Sequence, residues 1–143
     1  MKSFKLLDGY NLGDVTDGYT FLTDWVDLHS ARFFSATAVF SGDTIANGTL
    51  KLQMSNDEES DFTDTTTGKK FPKSAGSSTG DPDDVVDVPG SLTGTVTQSI
   101  SATGKYPYQQ YNFPARWVRF TFTKTGDPAA DTEVDIFFHF KTQ

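Results

Sequence analysis

Side-chain alternation in the last quarter of the chain constrains the fold more than any other feature. In residues 116–123, Val118, Phe120 and Phe122 share one parity, and Trp117, Arg119, Thr121 and Thr123 share the other. In residues 133–141, Val134, Ile136, Phe138 and Phe140 alternate with Glu133, Asp135, Phe137, His139 and Lys141. A period of two puts successive side chains on opposite faces only in an extended strand, so each stretch reads as a strand with one buried face. The short connector carries Gly126-Asp127-Pro128, which predicts an antiparallel pair joined by a loop. Trp117 and Phe137 are the exceptions on the outer faces. Bulky apolar groups there call for cover, from another element or from a partner subunit.

The rest of the chain extends this pattern. Residues 31–41 alternate Phe34, Ala36, Ala38 and Phe40 against a mixed face, and Gly48–Ser55 alternates Leu50, Leu52 and Met54 against Thr49, Lys51, Gln53 and Ser55. Residues 19–28 read as a broken strand with a bend at Thr23-Asp24, 85–88 as a short strand, and 92–102 as a strand with Leu92, Val96, Ile100 and Ala102 on one parity. Residues 106–113 carry Tyr106, Tyr108, Tyr111 and Phe113 broken by two prolines, and read as an aromatic loop. Residues 1–18 hold Phe4, Leu6 and Leu7 before a run of turn signals, and read as an N-terminal arm in which these residues make a short strand or a packing segment. The 13 phenylalanines sit mostly in alternating segments, which suits pleated, half-buried surfaces. The expected fold is all-β: a single antiparallel β-sandwich of jelly-roll type over residues 1–143, with about seven to nine strands. A long acidic Ser/Thr/Gly-rich loop at 57–84 interrupts it, longer than compact domains usually carry.

The net charge is −7, and residues 57–87 hold nine Asp and Glu against three Lys. No basic stripe exists to neutralise phosphates, so nucleic acid is not an expected partner, and Lys69, Lys70 and Lys73 read as part of a solvated loop. There are no cysteines, hence no disulfide and no thiolate metal site. No run approaches the roughly 18 apolar residues of a membrane helix, and the N-terminal apolar run is too short for a signal-peptide core. Synthesis and folding in a cytoplasm are therefore expected.

Chemistry is sparse. His29 and His139 are the only histidines and have no metal-ligand spacing. Gly76-Ser77-Ser78-Thr79-Gly80 matches GxSxG but lacks the strand before and the helix after that a nucleophile elbow needs. Asp57, Glu59, Asp61 and Asp64 do not make an EF-hand, because Phe62 and Gly68 stand where Gly and Glu are required. With Asp81, Asp83 and Asp84 they read as solvated loop acids, with a non-EF calcium site as the alternative. No catalytic residue, cofactor or metal site is assigned. Tyr106, Tyr108, Tyr111 and Trp117 admit three readings: packing within the domain, a protein interface, or stacking on a sugar. The candidate interface residues are Phe4, Leu6, Phe62, Phe71, Tyr106, Tyr108, Tyr111, Trp117 and Phe137.

Two segments carry a resemblance. Gly48-Thr49-Leu50-Lys51-Leu52-Gln53-Met54-Ser55-Asn56-Asp57 and Ala115-Arg116-Trp117-Val118-Arg119-Phe120-Thr121-Phe122-Thr123 resemble the paired motifs G-x-L-x-L-Q-x-S-N-D and A-R-W-V-R. These occur in small β-sandwich structural proteins of bacteriophage virions and, more distantly, in discoidin-like jelly rolls. The similarity spans about residues 31–142. It implies a non-enzymatic virion component, such as a capsid decoration, vertex or spike, or tail-associated protein, made in the bacterial host cytoplasm. Its partners would be other virion proteins and its own copies, with closed rotational symmetry and a trimer as the expectation. A carbohydrate-binding module for host-surface attachment is the alternative.

Overall fold

The computed structural model describes residues 2–12, 20–42, 47–56, 58–59, 70, 72, 86–88, 96–124 and 132–141. Ten strands lie among them in the order β1 (Lys2–Asn11), β2 (Thr20–Leu22), β3 (Val26–Asp27), β4 (Phe34–Ser41), β5 (Gly48–Ser55), β6 (Val86–Asp87), β7 (Thr97–Ile100), β8 (Gly104–Gln110), β9 (Trp117–Lys124) and β10 (Glu133–Phe140). They form two antiparallel sheets, consistent with a β-sandwich. The first runs β1-β10-β4-β8, and the second runs β2-β9-β5-β6. In the second, β2 and β3 pair end to end along β9, and β6 and β7 pair with opposite halves of β5.

The alternating segments of the sequence became strands with the expected inner faces. Phe34, Ala36, Ala38 and Phe40 of β4 are buried, as are Leu50 and Leu52 of β5 and Val134, Ile136, Phe138 and Phe140 of β10. The pairing of the last two strands differs from expectation. β9 and β10 are not hydrogen-bonded to each other; they belong to opposite sheets and meet across the core. Phe120 of β9 and Phe138 of β10 contact edge to face, with ring centroids 6.5 Å apart. Alternation shows which face of a strand is apolar and leaves its neighbour open, and facing sheets bury both apolar rows at once. Phe34 stacks on Phe138 at 5.1 Å, Tyr108 meets Phe120 edge-on at 5.1 Å, and Phe40 lies 5.6 Å from Phe122, which makes the core a continuous aromatic layer.

Two further strands form, one where the sequence left a short strand or a packing arm open and one where it read as a loop. Residues 2–11 of the expected arm form β1, the edge of the first sheet, paired with β10 from Lys2 to Asn11. The register shifts between Lys5 and Leu7 and again between Leu7 and Tyr10, so period two is lost from the sequence where the bulges sit. Gly9 adopts φ 63° within that irregular stretch, a conformation open to glycine. Residues 106–110 of the expected aromatic loop belong to β8, which begins at Gly104. Pro107 is tolerated because β8 is an edge strand and needs no amide on its outer side. In the 92–102 segment, the described strand is limited to Thr97–Ile100; Val96 and Ile100 are buried as expected, whereas Ala102 is exposed.

Phe120 stands at the centre of this layer, so its truncation leaves a large void. Phe120→Ala is expected to lower unfolding free energy by about 3–5 kcal/mol, measured by urea denaturation.

Candidate functional site

The outer faces of the two sheets are treated differently. On the second sheet the outward parity of β9 is closed within the single chain: Trp117 is 1% exposed, Arg119 5% and Thr121 1%. The interruption between β2 and β3 brings Trp25 back over this face. The break is held by Thr23, whose amide donates to Phe120 O at 3.0 Å and whose hydroxyl accepts from Phe120 N at 3.0 Å. Trp25 lies 4.5 Å from the Arg119 guanidinium, and Arg119 Nε donates to Gln53 Oε1 at 2.9 Å. Buried guanidinium groups require such partners.

Beside this patch Arg116 ties three segments together. Its Nε and one terminal nitrogen form a two-point contact with the Asp27 carboxylate at 3.0 and 2.8 Å, and the same nitrogen reaches Glu59 at 2.7 Å. Glu59 also pairs with Lys70 at 3.2 Å. The Arg116 amide donates to Asn56 Oδ1 at 3.0 Å, while Asn56 Nδ2 donates to Pro114 O at 3.1 Å. Burial pushes the Asp27 carboxyl up, but hydrogen bonds from Arg116 and the His29 amide outweigh it and hold it below the ordinary carboxylate range. Hydrogen bonds from Lys70 and Arg116 likewise lower Glu59. Asn56 and Arg116 lie within the two segments that carry the family resemblance, and those segments pair directly as β5 and β9, from Gly48 opposite Lys124 to Ser55 opposite Trp117.

A cleft of about 490 Å3 opens at the β1–β3 edge, lined by Phe4, Lys5, Trp25, Asp27, His29 and Trp117 among others. It combines aromatic rings, a paired carboxylate and amines. Among the described residues no group of three or more His, Asp or Glu is arranged to hold a metal ion. Of the calcium-loop candidates only Glu59 is described, and it is engaged with Arg116 and Lys70.

Among the described residues, no element covers the outer face of the first sheet. Phe137 is 45% exposed in the interior strand β10, with Lys5 beside it on β1 and Thr37 on β4. Lys5 Nζ lies 5.1 Å from the Phe137 ring. At the far end Tyr111 is 47% exposed and tilts against Phe33 at 5.1 Å.

The nine candidate interface residues therefore separate. Phe137 and Tyr111 are exposed. Phe4, Leu6 and Tyr106 are partly buried against the core. Tyr108 is fully buried and its hydroxyl donates to Leu50 O at 2.9 Å, with burial pushing its pKa up. Tyr108 and Trp117 are thus interior residues, a correction to their reading as contact residues. The aromatic parity of β8 faces the core, and the β9 outer face is covered by its own chain. Phe62 and Phe71 lie outside the described residues. Trp25, Asp27, Asn56, Arg116 and Arg119 were not singled out from sequence. Their meeting depends on β3, β5 and β9 becoming neighbours, although Asn56 and Arg116 stood inside the quoted motifs.

Neither the family models nor the curated proteins nor the solved structures contain a match to this chain.

The Asp27–Arg116 contact generates an acid-dependent stability term. A carboxylate held low contributes fully above its unfolded value near pH 4, and the contribution disappears as pH falls through the folded value. Arg116→Gln is expected to cost about 2 kcal/mol at neutral pH, with the gap to wild type narrowing below about pH 4 in denaturation series.

Proposed function

We propose that this chain is a non-enzymatic structural protein of a bacteriophage particle, acting through protein–protein contacts on a rigid sandwich. The observation that carries the reading is Phe137, a large apolar side chain left exposed on an interior strand. Interface cores are enriched in such aromatic anchors. The particle assignment rests on the two resemblance segments, and their register-for-register pairing as β5 and β9 supports treating them as one unit. The jelly-roll type has its own support. With β2 and β3 counted as one interrupted strand, and β6 and β7 as another, the sheets read 1-8-3-6 and 2-7-4-5. The chain then crosses between sheets at every step but one, which is the path of an eight-stranded jelly roll. The protein would be made in the host cytoplasm and end in the virion beside capsid or tail proteins.

Mass spectrometry of purified particles tests the assignment. The wild-type chain is expected in mature virions, and Phe137→Asp is expected to be absent from them while keeping its stability within about 0.5 kcal/mol of wild type. Absence of the wild-type chain from virions would refute the reading.

The cleft at the β1–β3 edge favours a second reading, a carbohydrate-binding module. Trp25 is half-buried there, close to Asp27 and His29, and rings beside hydrogen-bonding groups suit a sugar. If this reading holds, titration with a panel of host-surface glycans changes tryptophan fluorescence, and Trp25→Ala removes the response. A flat titration across the panel would exclude it.

A further inference from the structure

We infer that the open face of the first sheet is the contact surface of a two-fold homodimer, with β10 of one copy lying antiparallel over β10 of the other and Phe137 at the axis. The inference names the partner for the proposed contact surface and rests on that reading only in taking this face as a protein interface.

The argument starts from the order of charges. The outward parity of β10 runs Glu133, Asp135, Phe137, His139, and Lys141 continues it one residue past the strand. Acids occupy one end, bases the other, and the exposed ring sits between them. Two identical sheets can stack face to face about a two-fold axis lying in the interface. If the axis runs along the strands, Glu133 faces Glu133 and Lys141 faces Lys141. If it runs across them, Glu133 faces Lys141, Asp135 faces His139 and the two Phe137 rings meet. Like charges facing each other are costly and opposite charges steer association, so the charge order selects the second arrangement.

The shape of the face agrees. Phe137 rises beside Ser35 and Thr37 of β4 and Ser3 of β1, next to a groove of about 400 Å3 that can accept a facing ring. Lys5 is level with Phe137, and the axis brings the two Lys5 residues near each other. Each is compensated within its own chain, by Asp8 at 3.0 Å and Asp135 at 3.6 Å. Four strands about 4.8 Å apart, with eight residues rising about 3.4 Å each, cover about 500 Å2 per copy. Two copies bury about 1,000 Å2, the lower limit for a specific interface, so the dimer is expected to be reversible. Closure by two-fold symmetry replaces the trimer expected from the family resemblance.

Sedimentation equilibrium on the full chain tests this through a charge exchange. The wild type is expected to show a reversible monomer–dimer equilibrium. Glu133→Lys and Lys141→Glu, both at exposed positions, are each expected to raise the dimer Kd about tenfold. An equimolar mixture of the two variants is expected to associate at least as tightly as wild type, because both 133–141 pairs are then opposite in sign. That rescue also shows that both variants are folded. A wild type that stays monomeric, or a mixture no tighter than its separate components, overturns the homodimer. If the wild type is monomeric yet Phe137→Asp is lost from particles, the face binds a different virion protein and the proposed function stands. If the wild type dimerises as described but is missing from particles, the homodimer stands and the particle assignment fails.

Discussion

Burial of β9 on both faces is the constraint on which the rest of the structure depends. Its inner row, Val118, Phe120 and Phe122, meets the aromatic row of the opposite sheet. Its outer row contains Trp117, Arg119 and Thr121, which in a two-layer sandwich would ordinarily face water. A guanidinium withdrawn from water must be matched by nearby acceptors or aromatic faces. Trp25 and Gln53 supply these for Arg119, and Asp27, Glu59 and Asn56 hold Arg116 at the entry to the strand. The broken β2–β3 edge follows from this requirement: a continuous strand would leave Trp25 no route over the outer face.

This closure gives the molecule two unlike outer surfaces. The polar and aromatic side chains of the second sheet satisfy one another around Arg119 and Arg116. The first sheet presents mostly small and polar residues, with Phe137 exposed in its middle and Tyr111 exposed at one end. The contacts proposed for this chain are therefore assigned to the first sheet and to the cleft at the β1–β3 edge. The sheet face is charge-ordered along β10 and carries an exposed ring beside a shallow groove, which suits another protein surface. The cleft is concave and mixed in character, which suits a smaller ligand.

Legibility from sequence followed the regularity of each element. β4, β5, β9 and β10 were legible because their inner residues alternate without interruption. β1 was legible only as one of two readings, because its register shifts break the alternation at Leu6-Leu7. β8 was hidden by Pro107, a residue that opposes strands except at an edge, and edge position is a property of the finished sheet. At the candidate site, Phe137 was legible as an apolar exception in an outward row. Trp117 gave the same signal and has the opposite fate, because its own chain buries it, with the Arg116 guanidinium 4.8 Å from its ring, and nothing described closes over Phe137.

The sequence by itself determined the all-β class, the inner face of each regular strand and the charge order along β10. These are local properties, set by side-chain parity along an extended backbone. Only the tertiary structure decided that β9 and β10 face each other across the core rather than pair. It also decided that Tyr108 and Trp117 are interior, and that Asp27, Asn56 and Arg116 meet. Parity says nothing about which strand lies alongside or opposite, and those neighbours decide what an outward side chain touches.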